Sequence, residues 1–216
     1  MGRLRRAWAP RPRQGRHGAY TPDVTIEGRR YHAGDLPGRL LREARDMLEG
    51  GGLKQLSLRA LAARSGITAA SMYHHYDSKR ALLAELAALG FGELRRSLEQ
   101  ADRDAIAGGR LRAWATGYFA YARHEPAMFA LMFDPDIAGH APVVEAREAA
   151  LAVLRRTVEQ VAVAQGRIDP PLEQITLAVW AAAHGAASLA AGASGGPELI
   201  DDVIAGLETL FRPPRG

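Results

Sequence analysis

The sequence predicts an all-α protein with an N-terminal three-helix domain of the helix-turn-helix type and a larger C-terminal helical bundle. Apolar residues recur at spacings of three and four from residue 35 onward, and no segment shows the alternation typical of a strand. Pro126, Pro142, Pro171 and Pro197 each stand near the start of a predicted helix, where the missing N–H of proline costs little. These observations together favour a chain built from helices alone.

Three segments are expected along the chain. Residues 1–34 are rich in Arg, Gly and Pro and lack an apolar period, which predicts a disordered basic tail. Residues 35–80 predict the helix-turn-helix domain, and residues 81–216 predict the bundle. Residues 1–30 hold eight arginines against two acids, whereas residues 81–216 hold twelve arginines against seventeen acids. A polyanionic partner is therefore expected at the N-terminal end only.

Composition argues against several other classes of protein. The chain has no cysteine, which excludes disulfides and thiolate metal sites and makes the reducing cytoplasm the expected compartment. No apolar segment of the signal-peptide type follows the basic N-terminus. The alanine-rich run at 175–193 is too weakly apolar for a membrane span. We expect no membrane partner, no cofactor and, because the histidines are scattered, no metal site.

Capping and breaking residues set the expected helix bounds. Asp35, Ser57 and either Asp77 or Ser78 are suited to cap helices, and the glycines at 50–52 should stop the first one. The predicted helices are 35–49, 58–65, 68–75, 78–102, 110–124, 126–133, 142–165, 171–193 and 197–211. The expected buried stripe of the fourth helix is Leu82, Leu83, Leu86, Leu89, Leu94 and Leu98.

Residues 58–75 predict the helix-turn-helix itself. Gly66 supplies the turn, and Leu61, Ile67 and Met72 are placed to share a small core. The second helix of such a pair enters the major groove, where short side chains allow close approach to base edges. The residues expected at base edges are Thr68, Ala69, Ala70 and Ser71. The residues expected to hold phosphates are Ser57, Arg59, Tyr73, His75 and Lys79.

The stretch LSLRALAARSGITAASMYHHYDSKRALLAEL at 56–86 resembles the signature of the TetR family of regulators. The elements that carry the resemblance are Ser57, Leu61-Ala62, Gly66, Met72-Tyr73, His75-Tyr76, Ser78-Lys79 and Leu82-Leu83. The family pattern usually has Phe where this chain has Tyr76. The resemblance implies base contacts by residues 69–71 and phosphate contacts by Ser57, Tyr73, His75 and Lys79. His74, also counted as a candidate DNA contact, stands at a position that varies in the family.

The C-terminal half carries a stripe of aromatic and methionine residues over 114–133. Such a stripe indicates either an ordinary core or the lining of an apolar pocket, and both interpretations remain open. The stretch WAAAHG at 180–185 resembles the WHG subgroup of TetR-like C-terminal domains, which bind ligand and dimerise. His184 is either a buried structural histidine or a ligand- or pH-sensing group. The candidate ligand-binding residues are Trp114, Tyr118, Tyr121, Phe129, Met132, Phe133, Trp180 and His184.

Helix-turn-helix readers usually act as two-fold dimers, so a homodimer is expected. The last two helices are the candidate interface, although the same residues would equally close the core of a monomer. The candidate interface residues are Ala182, Ala186, Ala187, Ala190, Leu199, Ile200, Val203, Ile204, Leu207 and Phe211. The resemblance implies a four-helix interface made from two such helix pairs.

The expected function is that of a one-component transcriptional regulator. By resemblance it is a repressor that a small, largely apolar effector releases from a double-stranded DNA operator. The alternatives are a ligand-binding or scaffold protein without specific DNA recognition, and a nonspecific DNA binder that uses its arginine tail. An enzyme is not expected, because the sequence lacks a phosphate loop, a nucleophile elbow and a His-Glu metal motif. Glu85, Glu93 and Glu99 are interpreted as a solvated helix face.

Overall fold

The computed structural model describes residues 36–106, 108–191 and 197–210, and every regular element in these ranges is an α-helix. The predicted all-α class is confirmed. The helices are α1 (Leu36–Gln55), α2 (Leu58–Arg64), α3 (Ala69–His75), α4 (Lys79–Asp104), α5 (Arg110–His124), α6 (Pro126–Met132), α7 (Ala141–Ala164), α8 (Leu172–Ala191) and α9 (Pro197–Leu210).

The first helix runs further than predicted. Gly50 and Gly51 continue α1, and the break comes at Gly52, whose φ of 68° lies in the left-handed region that glycine tolerates. Leu40, Ala44 and Leu48 form its buried stripe. The expected capping role of Asp35 falls outside the described residues.

Hydroxyl side chains cap the next three helices. Ser57, Thr68 and Ser78 accept hydrogen bonds from the backbone N–H groups of Ala60, Ser71 and Ala81, each at 3.1 Å. Each cap satisfies one of the N–H groups that a helix start leaves without a partner. Between α2 and α3 the chain turns at Gly66 with φ of 66°. The cap predicted at Ser57 is confirmed, and Ser78 rather than Asp77 caps α4. Thr68 was predicted to be the first residue of the third helix and is its N-cap instead.

The buried stripe of α4 differs from the prediction at one position. Leu89 is 47% exposed, whereas its neighbours Gly90 and Phe91 are buried. A Cβ at Gly90 would lie 2.9 Å from side-chain atoms of Met128 and Met132 on α6. Hydrophobicity favours leucine over glycine as a buried residue, but close helix packing here depends on the missing side chain.

The bundle is arranged around α4, which packs along α5 and α7 and also contacts α6. The helix α8 lies against α7, α5 and α9. A continuous apolar core extends from Leu40 in α1 to Leu207 in α9, so α1–α3 and the bundle share one interior. None of the helices in the described ranges is both long and apolar enough to cross a membrane. The described residues also contain no cluster of three metal-ligating side chains.

Candidate DNA-binding surface and aromatic cluster

The helix α3 projects most of its side chains into solvent. Met72 is fully buried and anchors the helix, whereas Thr68, Ala69 and Ala70 are exposed and Ser71 is half-buried. These four are the residues expected at base edges. The structure brings them together at the N-terminal end of α3, where the peptide dipoles favour an anion.

The residues expected to hold phosphates surround this helix start. Tyr73 is 52% exposed although it is a large aromatic residue, and His74 and His75 are exposed beside it. Ser57 and Arg59 are exposed at the start of α2. The Ser57 oxygen already accepts the capping bond from Ala60, which leaves its hydroxyl hydrogen available to a phosphate.

Lys79 has a structural partner that sequence reasoning missed. Its ammonium donates a hydrogen bond of 2.7 Å to the carbonyl oxygen of Leu53, just beyond the kink at Gly52. The side chain is half-buried. One of its three N–H donors therefore ties α4 to the end of α1, and the other two stay available for a phosphate.

Tyr76, which replaces the usual phenylalanine, is buried beneath the reading surface. Its hydroxyl donates a hydrogen bond of 3.2 Å to a carboxylate oxygen of Glu85. Burial, together with the neighbouring charge of Glu85, raises the pKa of this phenol. Glu85 is therefore an acceptor for Tyr76 as well as part of the exposed face.

A charged junction connects α1 with α4 and with the start of α6. The guanidinium of Arg45 forms an ion pair with Glu93 and a second one with Glu125, the latter at 2.7 Å. The hydroxyl of Tyr121 lies 3.4 Å from the other oxygen of Glu93, to which it donates. The hydrogen bonds to the two carboxylates raise the pKa of Arg45. We call Arg45, Glu93, Tyr121 and Glu125 the junction.

The junction bears on two sequence-based interpretations. Glu93 is not part of a solvated face, since its side chain is only 29% exposed and has two partners. Tyr121, a candidate ligand-binding residue, is buried and its hydroxyl is directed at Glu93, and its ligand role stays a prediction. Burial and the Glu93 charge raise the pKa of this phenol. The only sequence signal for the junction is Arg45, on the buried side of α1. The sequence alone does not show which carboxylates pair with it.

The remaining aromatic residues converge on Tyr118, which is fully buried. Its ring stacks on Trp114 with centroids 5.3 Å apart and meets Phe129 and Trp180 edge-on at 5.6 and 5.7 Å. Such arrangements add to the stability that burial alone provides. The aromatic cluster comprises Trp114, Tyr118, Phe129, Phe133, Trp180 and His184.

One polar contact lies inside the aromatic cluster. The hydroxyl of Tyr118 is 3.3 Å from Nδ1 of His184, and the ring of Phe133 lies 4.1 Å from the His184 ring. Burial alone raises the pKa of Tyr118 and lowers the pKa of His184, so both groups are held neutral. Phe133 and His184 are half-buried and lie at the edge of the cluster.

Six of the eight candidate ligand-binding residues thus come together. Met132 is packed against Gly90 of α4. A separate cleft of about 200 Å³ lies between α5 and α9. Its lining residues are Thr116, Phe119, Ala120, Arg123, Ile200, Asp201 and Ile204. None of the eight candidate ligand-binding residues lines this cleft. The candidates were chosen for aromatic character, whereas the cleft occupies another face of α5.

Four of the nine described candidate interface residues are buried and the other five are half-buried, so the expected dimer face stays a prediction. Ala186 and Ala187 of α8 and Ile204 and Leu207 of α9 are buried within the subunit. The exposed apolar residues of α8 are Leu177, Ala178, Ala181 and Leu189. The alanines were nominated for their small size, but that property serves packing inside the subunit equally well. Phe211 lies outside the described residues.

Comparison with known proteins identifies the family. The profile described as "Bacterial regulatory proteins, tetR family" matches residues 40–86, and the "Tetracyclin repressor-like, C-terminal domain" profile matches residues 111–210. None of the curated proteins compared with the sequence matches it significantly. The resemblance to the WHG subgroup stays a prediction.

Solved structures share the fold. A protein of unknown function from Rhodococcus sp. RHA1 is 33% identical, with a TM-score of 0.70 over 84% of this chain and 95% of that one. A TetR/AcrR-family regulator from Thermobifida fusca YX-ER1 is 15% identical, with a TM-score of 0.64 over 83% of this chain and 100% of that one. The TetR-family regulator PfmR from Thermus thermophilus is 22% identical, with a TM-score of 0.56 over 80% and 96%. Together with the two profile matches, these observations show that the chain belongs to the TetR family of DNA-binding transcriptional regulators.

Proposed function

We propose that the protein is a homodimeric repressor that a small, largely apolar effector releases from its operator. The observation that supports this most directly is the exposure of α3 around its buried anchor Met72. Residues 68–71 would read base edges, and Ser57, Arg59, Tyr73, His75 and Lys79 would hold phosphates. His74 is exposed on the same helix and is assigned to the DNA-facing surface without a specific contact.

The release step would run through α6. This helix has only seven residues, and its two ends contact different parts of the protein. Phe133, its C-cap, packs on His184 of the aromatic cluster, whereas Glu125, its N-cap, pairs with Arg45 of α1. An effector entering the aromatic cluster would displace Phe133, shift α6 and weaken the Arg45–Glu125 ion pair. The effector can do so only by binding the displaced geometry more tightly.

The dimer would form through the exposed face of α8. Leu177 is 63% exposed and Leu189 is 55% exposed, so an apolar stripe extends along most of this helix. A partner subunit's α8 and α9 would cover it in a four-helix interface, which would also fix the distance between the two copies of α3. Leu177→Glu should therefore yield monomers in sedimentation velocity and weaken operator binding. Ile168→Glu, at a 95% exposed position between α7 and α8, should change neither.

Three further assignments accompany the proposal. Residues 35–80 would act as the DNA-binding domain and residues 81–216 as the effector and dimerisation domain, preceded by the basic tail at 1–34. TetR-family regulators are generally non-enzymatic, and we assign no catalytic role to this chain. The protein would act in the cytoplasm, where its DNA partner is found.

Operator binding tests the proposal directly. An operator obtained by random-sequence selection would be titrated with wild type and with Tyr73→Ala at several salt concentrations. Wild type should prefer it over a scrambled duplex by 10³-fold or more, roughly, and Tyr73→Ala should weaken binding about 10-fold. Ile168→Ala is the matched control away from α3. Equal, steeply salt-dependent binding to both duplexes would indicate the nonspecific binder, and no binding would indicate the scaffold alternative.

A further inference from the structure

The indole N–H of Trp114 is a buried donor that the fold does not use. The Trp114 side chain is 0% exposed, and among the described residues its Nε1 has no hydrogen-bond partner. Leaving such a donor unsatisfied costs about 1–3 kcal/mol, so buried N–H groups without an acceptor are uncommon. A phenylalanine would supply a ring here without that cost.

No acceptor of the described residues lies within hydrogen-bonding distance of this N–H. The neighbouring ring of Tyr118 is stacked on Trp114, and the Tyr118 hydroxyl is placed at Nδ1 of His184 instead. Burial is the sole cause acting on the pKa of both Tyr118 and His184. The aromatic cluster is therefore an apolar, uncharged site in which the buried indole N–H has no acceptor among the described residues.

A second buried polar group lies on the facing helix. Thr176 of α8 is 2% exposed, and its hydroxyl also lacks a partner in the described part of the chain. Thr157 of α7, equally buried, donates in the usual way to the carbonyl of Val153, four residues earlier. Thr176 precedes Trp180 by one helical turn and so shares its face of α8. The two helices that meet at Tyr118 thus each carry one unsatisfied polar group.

We infer that the effector is an uncharged aromatic molecule whose carbonyl-type oxygen accepts the hydrogen bond of the Trp114 indole N–H. This inference rests on the proposed effector site. Entry would proceed past Phe133 and His184, the half-buried members of the aromatic cluster. A carboxylate or an ammonium would lose its hydration here without gaining a counter-charge, and both are excluded for that reason. The aromatic rings of the effector would replace the ring contacts that hold the closed cluster together.

A matched set of probes tests the chemistry on the full-length protein. Binding of naphthalene, 2-acetonaphthone, 2-naphthoate and 2-naphthylmethylamine would be followed by calorimetry and by thermal shift. The ketone should bind about 3- to 10-fold more tightly than the hydrocarbon, since one hydrogen bond is gained. The two charged probes should bind at least about 10-fold more weakly than the ketone. Equal binding of ketone and carboxylate, or no binding of the ketone, would overturn the inference.

Two tryptophan variants separate the N–H from the ring. Trp114→Phe should abolish the preference for ketone over hydrocarbon while naphthalene binding changes little. Trp180→Phe removes the same kind of group from the same cluster, but the Trp180 N–H is not among the unsatisfied buried donors, so the preference should persist. An unchanged preference in Trp114→Phe would overturn the inference. If that variant does not fold, the wild-type probe series still overturns the inference when the ketone binds no more tightly than the hydrocarbon.

Operator binding distinguishes this inference from the proposed function. A ketone that binds through Trp114 without lowering operator affinity would leave the inference standing and contradict effector-driven release. If the protein binds its operator selectively but does not bind the ketone, the inference is contradicted and the proposed function stands.

Discussion

The DNA-reading helices α1–α3 and the aromatic cluster are stabilised in different ways. The DNA-reading helices are stabilised by interactions between residues close in sequence, among them the hydroxyl caps at Ser57 and Thr68 and the glycine turn at Gly66. The aromatic cluster depends on contacts between α5 and α8, such as Tyr118 with His184, 66 residues apart in sequence. Caps and turns within a short segment fix its conformation, whereas ring contacts between residues far apart in sequence can be replaced by contacts with a ligand. The difference indicates which half of the protein is built to change.

The largest expected effect comes from removing the centre of the aromatic cluster. Tyr118→Ala should lower the free energy of unfolding by about 3–5 kcal/mol, because four aromatic contacts are lost and a cavity is left. Tyr118→Phe removes only the hydroxyl at His184 and should cost about 1 kcal/mol. Urea denaturation measures both. A loss below about 1 kcal/mol in the alanine variant would mean that the ring contacts do not stabilise this half.

Gly90→Ala tests the close approach of α4 and α6. The new methyl group would meet Met128 and Met132 at 2.9 Å, and we expect a loss of about 1–3 kcal/mol from overpacking. Gly92→Ala is the matched control on the same helix, since its Cβ would meet only Arg96 at 3.7 Å. That variant should gain up to about 1 kcal/mol from helix propensity. Effects of the same sign in chemical denaturation would refute the steric account.

Arg45→Met tests the junction between the two regions compared above. We expect a loss of about 1 kcal/mol or less, because the side chains of Arg45, Glu93 and Glu125 are each roughly one-third exposed or less and solvent screens them. Arg95→Met, which breaks a pair with Glu99 inside α4, should cost less still. If the junction connects the effector site to DNA, only Arg45→Met should alter operator affinity. Equal operator affinities in the two variants would contradict that role.

The smallest effect concerns pH. The folded state lowers the pKa of His184 through burial, so below about pH 6.5 the unfolded chain binds the proton more readily. This contribution to stability is full at pH values above 6.5 and is lost as the pH falls. His184→Gln should therefore lose less stability than wild type between about pH 7.5 and 5.5. Parallel stability curves for the two proteins would show that His184 is not the group responsible.

The accuracy of the sequence-based predictions also differs between local and long-range contacts. The cap at Ser57 was predictable because it needs only a residue three positions away. Leu89 and Glu93 were misplaced because their surroundings are set by α6 and α1, whose positions the α4 sequence does not contain. The exposed leucines of α8, Leu177 and Leu189, were not among the candidate interface residues for the same reason. Residue type and spacing show which face of a helix is apolar, but the neighbouring helices determine which residues of that face are buried.

The hydrogen bond from Lys79 to the Leu53 carbonyl couples the position of α4 to that of the DNA-reading helices. Because the first residue of α4 is tied to the end of α1, the reading helices should follow the tip of α4 as it moves. The 26 residues of α4 form a rod about 39 Å long, so a tilt of about 5° about its far end would carry that tip about 3 Å. Successive nucleotides of one DNA strand rise by about 3.4 Å along the duplex axis. A small tilt of α4 would thus displace the reading helices by nearly the rise of one nucleotide on each half of an operator.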